Sequence, residues 1–363
     1  AVDNSSIMTP TADGHWWITL PGSEIQDGTE YAFQYFVDGA LRMADPFSYK
    51  VLTPNDRFIS EAIYPNLKPY PDSLTENRVS VFETGQEAFD FSPFTPPPQE
   101  EMVVYELLLR DFVEESTYET LADTLDYLDR LGINAIELLP VSEFAGNNSW
   151  GYNPTFHFAL DKAYGPRESF KQFVEAAHSR GIAVILDVVY NHIDTQSPLV
   201  QLYGTTGNPF IEEPQDCGPF EELNQGSSFI REDYIARANR YWVEEYNVDG
   251  FRFDLAQCVA SPDDWEVLAD DLWDQTDPDP YMILEYFGDG LDQLANDGLI
   301  PWYKLNPNYL ESSMGYVANT TGTSSNLEPA YFGFAGFSSP NIMAYMESHD
   351  EQWLMHKTAQ FGN

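Results

Sequence analysis

The chain has 363 residues, 43% apolar and 15% aromatic, which excludes a disordered polymer and allows more than one domain. It carries 17 basic against 59 acidic residues, a formal net charge of −42, so it repels nucleic acid and anionic membrane surfaces. No apolar run is long enough to read as a membrane-spanning helix.

The acidic excess is spread along the chain (Glu212-Glu213, Asp263-Asp264, Asp277 to Asp279) and forms no single tail. Two readings compete. One is ordinary solubility of a secreted or extracellular protein. The other is adaptation to high salt, which includes the cytoplasm of a salt-accumulating organism. The scarcity of lysine favours the salt reading. Two cysteines, Cys217 and Cys258, are too few for a disulfide framework. They pair, or both are small buried thiols, and the second is the expectation.

Residues 1–95 read as β-structure. Trp16 to Leu20 and Tyr31 to Val37 are strand-like runs, the latter followed by the turn signal Asp38-Gly39. The aromatics Trp16, Trp17, Tyr31 and Phe33 are expected in a β-sheet core rather than on an exposed stacking surface. Thr95-Pro96-Pro97-Pro98 reads as an interdomain linker.

From Met102 the pattern becomes strand-then-helix. Val103 to Leu109 is a strand, and Leu121 to Leu131 a helix stopped at Gly132. Ala135 to Val141 is a strand, and Phe170 to Ala177 a helix before Gly181. Ala183 to Val189 is a third strand. An irregular insertion at about 193–230 follows, then a helix over Ile235 to Tyr246. Gly250 to Leu255, Tyr281 to Phe287 and Ile342 to Met346 are further strands, with a helix at Trp265 to Trp273. Apolar strands alternating with amphipathic helices imply a parallel α/β sheet covered on both faces. Polar residues gather at strand carboxyl ends: Asp187, Asn191 and His192; Arg252 and Asp254; Glu285; His349 and Asp350. In an eight-fold (β/α)8 TIM barrel those ends form the catalytic face. A doubly wound sheet fits less well, because its Gly-rich phosphate turn is missing.

Cleaving a glycosidic bond requires one carboxyl to donate a proton and another to attack or to activate water. Asp254 and Glu285 each end an apolar strand, where a buried charge is expensive without a purpose. Arg252 lies two residues before Asp254, on the same strand face, and would keep it ionised. Glu285 has no basic neighbour in sequence, which suits a proton donor. A lone strand-end acid is more often a cap or an ion-pair partner. The ordered set is what points to catalysis.

Asp187-Val188-Val189-Tyr190-Asn191-His192, Gly250-Phe251-Arg252-Phe253-Asp254, Ile283-Leu284-Glu285-Tyr286 and Ser348-His349-Asp350-Glu351 resemble the four signature segments of the α-amylase superfamily, the family 13 glycoside hydrolases. Trp150-Gly151-Tyr152-Asn153-Pro154 resembles the segment after barrel strand two. The resemblance implies a retaining enzyme acting on α-glucan, with Asp254 as nucleophile and Glu285 as general acid/base. It implies that Asp350 grips and distorts the sugar, that His192 and His349 hydrogen-bond it, and that Tyr152 stacks beneath it. Asp187 would brace Arg252. Gln257-Cys258 stand where family members often carry Lys-His, and Phe287 where Trp is frequent. Asn191 matches a calcium-ligating asparagine, with Glu212, Glu213, Asp216, Glu221 and Glu222 as candidate oxygen ligands. On so acidic a surface these carboxylates need no metal to explain them, so calcium stays open.

The first 95 residues resemble an immunoglobulin-like, starch-associated β-sandwich domain, chiefly through Tyr31 to Asp38 and Ala44-Asp45-Pro46-Phe47. The leading expectation is α-1,4-glucan hydrolysis of the α-amylase type. A branching enzyme or other transglycosylase is the alternative, and a non-catalytic glucan-binding barrel the third reading. By the same resemblance the segment ending at His349-Asp350 matches the family's seventh strand, so the barrel is expected to have a gap between its seventh and first strands, or a segment from another chain filling it. His178 is expected to be a surface or packing residue. Asn147-Asn148-Ser149 and Asn319-Thr320-Thr321 fit glycosylation acceptors, a pattern common by chance.

Overall fold

The computed structural model describes residues 7–212, 217, 220–315, 325–327 and 341–362. Glu213, Asp216 and the Asn319-Thr320-Thr321 triplet lie outside the described residues.

Seven parallel strands form one sheet: β1 (Val104–Leu107), β2 (Ala135–Leu138), β3 (Ala183–Val188), β4 (Gly250–Phe253), β5 (Tyr281–Leu284), β6 (Ile300–Lys304) and β7 (Met343–Tyr345). Each pairs with the next in chain order. The connecting helices are α1 (Leu125–Leu131), α2 (Arg167–His178), α3 (Ala236–Tyr246), α4 (Pro262–Trp273), α5 (Leu291–Asn296) and α6 (Asn306–Ser313), with α7 (Leu354–Phe361) after β7. β3 is buried along its whole length, as a strand covered on both faces must be. α1 stops where Gly132 turns left-handed at φ 81°, a conformation that favours glycine. The sheet is an incomplete (β/α)8 barrel. Among the described residues no strand pairing joins β7 to β1. A cavity of about 740 Å³ lies along that edge, lined by Tyr105, Glu106, Trp302, Tyr345 and His349 among others.

The expected strands and helices appear with shifted ends. The helix expected from Leu121 is two pieces, Tyr118–Ala122 and α1, because Thr117 caps the first piece and Asp123-Thr124 interrupt. β6 carries Pro301, which cannot donate to a ladder and argues against a central strand in sequence. In the fold Pro301 needs only to sit opposite Leu284 of β5.

The N-terminal part is β-rich, in short pieces. Tyr31–Phe33, Val79–Phe82 and Val51–Leu52 form a three-stranded antiparallel sheet, while Tyr35–Val37 pairs with Leu41–Met43. The single run expected from Tyr31 to Val37 breaks at Gln34, whose amide donates to the Arg78 carbonyl at 2.7 Å. Trp16 and Trp17 are not core. They form a two-residue ribbon with Thr9–Pro10 and are 61% and 52% exposed, because among the described residues nothing packs over them. Tyr31 and Phe33 are half-buried around Phe82.

This part packs on the barrel through Phe47, which meets Phe158 and Tyr234. Asp56 also approaches Lys162 at 3.5 Å, and Lys162 is paired with Glu143 at 2.6 Å. His178 is a buried packing residue, stacked on Phe94 of the linker region and paired with Asp249 at 2.8 Å. The thiol expectation is overturned. Cys217 and Cys258 form a disulfide, since the insertion after β3 returns to lie against the short helix after β4, with the two Cα atoms 6.5 Å apart.

Candidate active site

Register places the acids. Val188, Phe253 and Leu284 are aligned across β3, β4 and β5, and the ladder continues one step further. Asp254 N donates to Val188 O at 3.0 Å, and Glu285 N to Phe253 O at 3.1 Å. Asp254 and Glu285 therefore stand side by side, just past the ends of adjacent strands.

One residue back, Asp187 and Arg252 face each other across β3 and β4. Arg252 is fully buried beneath the acids. Its Nη1 lies 2.9 Å from Asp254 Oδ1 and 3.1 Å from Asp187 Oδ1, and its Nη2 is 3.3 Å from Glu285 Oε2. The guanidinium rests over the Trp302 ring of β6 at 4.5 Å. One cation thus serves three carboxylates. Glu285, without a basic neighbour in sequence, has Arg252 as a neighbour in space.

Burial pushes the Glu285 carboxyl above the usual carboxylate range. Arg252 pulls it down, Asp254 pushes it up, and the Leu255 N–H, donating to Oε2 at 2.7 Å, pulls it down again. That N–H is aimed by an unusual backbone. Leu255 is left-handed at φ 47°, a strained conformation for a branched side chain immediately after Asp254.

Tyr152 donates its hydroxyl to Asp187 Oδ2, and its ring stacks on His349 with centroids 5.1 Å apart. Gly151, just before Tyr152, packs closely against Pro140. It sits at φ 101°, and a Cβ there would overlap the Pro140 carbonyl. His349 is held by Glu106 of β1, and its Nε2 is 3.6 Å from Asp350 Oδ1. Asp350 is 60% exposed at the turn after β7.

His192 is engaged within the protein. Its Nε2 donates to the Tyr152 carbonyl at 2.8 Å, its Nδ1 faces the Asn191 amide at 3.3 Å, and its ring stacks on Phe220. A sugar contact from His192 would have to replace one of these. Gln257 accepts from the Phe287 N–H at 3.2 Å, linking the two positions where the sequence departs from the family pattern.

The calcium expectation centred on Asn191. Its amide is directed at His192, and Glu222 accepts from the Cys217 N–H. Among the described residues no three His, Cys, Asp or Glu side chains converge as a metal-binding group.

Two acids were missed in sequence, Glu106 and Glu137, directly opposed on β1 and β2. Both sit inside apolar strands, the same signal that marked Asp254. Glu137 is buried, and its Oε1 has no hydrogen-bond partner among the described residues. Burial, then the charge of Glu106, pushes its carboxyl well above the usual carboxylate range. The folded state therefore holds a proton that the unfolded chain releases near pH 4.5. Folded stability falls as pH rises above that value, until Glu137 itself ionises. Glu137→Gln lacks this penalty. Its urea midpoint relative to wild type should be higher at pH 8 than at pH 5, and a gap independent of pH would contradict the buried protonated acid.

The family model for the catalytic domain of alpha amylase matches residues 110–203. The chain is 30% identical over 257 residues to a malto-oligosyltrehalose trehalohydrolase of Saccharolobus solfataricus, covering 71% of this chain and 41% of that protein. It is 32% identical over 293 residues to a glycogen operon protein GlgX homolog of Haemophilus influenzae, covering 68% and 42%. The chain thus spans about two fifths of the length of these curated relatives. Its fold matches type I pullulanase from Bacillus subtilis, solved with maltose, at a TM-score of 0.71 and 23% identity, over 97% of this chain and 55% of that one.

Proposed function

We propose that this chain, which belongs to the α-amylase superfamily of family 13 glycoside hydrolases, carries the catalytic centre of a retaining hydrolase of α-glucosidic bonds. The observation that carries the reading is the placement of Asp254 and Glu285 on adjacent strand ends over a shared Arg252. Neighbouring strands are roughly 4.8 Å apart, which suits the close carboxyl pair of retaining enzymes, about 5–5.5 Å, better than the about 6.5–9.5 Å of inverting ones. Asp254, held by Arg252, attacks the anomeric carbon and forms a glycosyl ester. Glu285, protonated by its burial, delivers a proton to the leaving oxygen and then draws one from water. Asp350 and His349 bind the hydroxyls of the cleaved sugar, and Tyr152 packs beside them.

The α-amylase reading takes internal α-1,4 bonds as substrate. A second reading, a malto-oligosyltrehalose substrate, is favoured by the name of the relative with 30% identity. The test is a product profile on starch, pullulan, maltooligosaccharides and malto-oligosyltrehalose. Free trehalose selects the second reading, and new reducing ends from starch select the first. Branch points without new reducing ends would indicate transfer. No turnover on any of these would overturn the hydrolase.

We also propose that the acidic surface is a salt adaptation. At a net charge of −42, screening by monovalent salt should relieve self-repulsion and raise the melting temperature from low to molar concentrations. A flat or falling melting curve over that range would exclude it.

A further inference from the structure

We propose that Glu106 of β1 is a positioning residue that acts through His349, fixing which ring nitrogen faces the substrate; this rests on the hydrolase reading above. The Glu106 carboxylate reaches across the unpaired edge between β1 and β7 and makes two contacts to one residue. Oε2 accepts the His349 main-chain N–H at 2.8 Å, and Oε1 lies 2.7 Å from His349 Nδ1. An ionised carboxylate can only accept, so Nδ1 must carry a hydrogen. The other nitrogen, Nε2, is thereby directed towards Asp350, 3.6 Å away, on the face where Asp254 and Glu285 stand. Without the second contact the imidazole could rotate about its side-chain bonds. Tyr152, stacked on the ring, and Trp150, edge-on to it, complete the slot.

The charged groups facing this ring are Glu106 from β1, Asp187 from β3 and Asp350 beside it. Burial would lower the imidazole pKa, but Glu106 first, then Asp350 and Asp187, outweigh it and raise it above the ordinary histidine value. His349 consequently keeps both hydrogens to higher pH than a free histidine, and Nε2–H is a donor for a sugar hydroxyl. Glutamine at position 106 cannot do this. It has one accepting oxygen for two donors, its NH2 opposes Nδ1–H, and the ring loses its anion.

The test is histidine side-chain ¹⁵N NMR of the whole protein, with the His349→Asn variant identifying the signal. In the wild type, His349 should be protonated at Nδ1 and titrate above ordinary histidine. In Glu106→Gln, the titration should move down and the neutral ring should carry its hydrogen on Nε2. Turnover of the variant should fall roughly tenfold to a hundredfold, with KM changed less, as for loss of one charge-assisted contact. The double variant Glu106→Gln/His349→Asn should be no slower than His349→Asn alone. Losses that multiply in the double variant, or a His349 titration unmoved by Glu106→Gln, would overturn the proposal. If Glu106→Gln does not fold, the wild-type spectrum decides, since a neutral Nε2–H ring at neutral pH is incompatible with it. The spectra need no turnover, so the two failures are distinguishable: an inactive protein with the expected spectra would sink the hydrolase reading, and an active protein with an unmoved His349 titration would sink this proposal alone.

Discussion

Asp254→Asn and Glu285→Gln should each lower turnover on an α-glucan by roughly three to six orders of magnitude while leaving the melting temperature within a few degrees. The first removes the attacking oxygen's charge, and the second removes the transferable proton. Both substitutions preserve shape, and both leave Arg252 two other carboxylates to pair with. In the unmodified protein, burial keeps Glu285 protonated above the ordinary glutamate range. Activity should therefore be lost on the alkaline side as pH rises through that displaced value. Proton NMR of early products should show the α anomer first. Early β products would exclude a double displacement, and a tenth of normal turnover in Glu285→Gln would exclude its role as acid.

Arg252→Met should cost more in stability than either catalytic substitution. Arg252 is fully buried and carries the ion pairs to Asp187, Asp254 and Glu285. Removing one side of a buried ionic group leaves uncompensated charge and costs on the order of 3–5 kcal/mol. The stranded carboxylates escape that cost only by taking up protons, so their folded pKa values rise above the unfolded ones. The deficit should then be larger at pH 8 than at pH 5. Thermal or urea unfolding at the two pH values measures this directly. A variant as stable as wild type at pH 8 would mean that the cluster is already protonated. Arg252→Lys should not rescue turnover, because a single ammonium cannot reach Asp254 and Glu285 with the two prongs that the guanidinium uses.

Asp254 and Glu285 were legible as candidates because a charge interrupting an apolar strand needs an explanation, and register then places Asp254 beside Glu285. Glu106 and Glu137 carried the same mark. Nothing in the sequence showed that Glu106 would meet His349, because that contact depends on β1 and β7, the two outer strands of the sheet, facing each other across the gap in the barrel. β6 was hidden by Pro301. The Cys217–Cys258 bond could not be read from spacing, since it depends on how the insertion folds back on β4. Trp16 and Trp17 looked like core by composition, but burial of an aromatic requires a second layer, and among the described residues their ribbon has none. Arg252 was legible as the partner of Asp254 by strand alternation, whereas its reach to Glu285 depends on a neighbouring strand.

The shared guanidinium and the adjacency of Asp254 to Glu285 have a consequence for the timing of proton transfer. The double displacement proposed above would demand opposite behaviour from Glu285 in its two halves: it would surrender a proton first and recover one from water later. In the resting enzyme the anion on Asp254 helps Glu285 keep its proton. Once Asp254 is esterified to the sugar, that anion is gone. Arg252, relieved of one partner, is left with Asp187 and Glu285. Both changes lower the proton affinity of Glu285 at the moment the leaving group has taken its proton. When water breaks the ester, the anion returns and the affinity rises again. In that mechanism the covalent state of Asp254 would set the acidity of Glu285, and the acid would be recharged in each turnover.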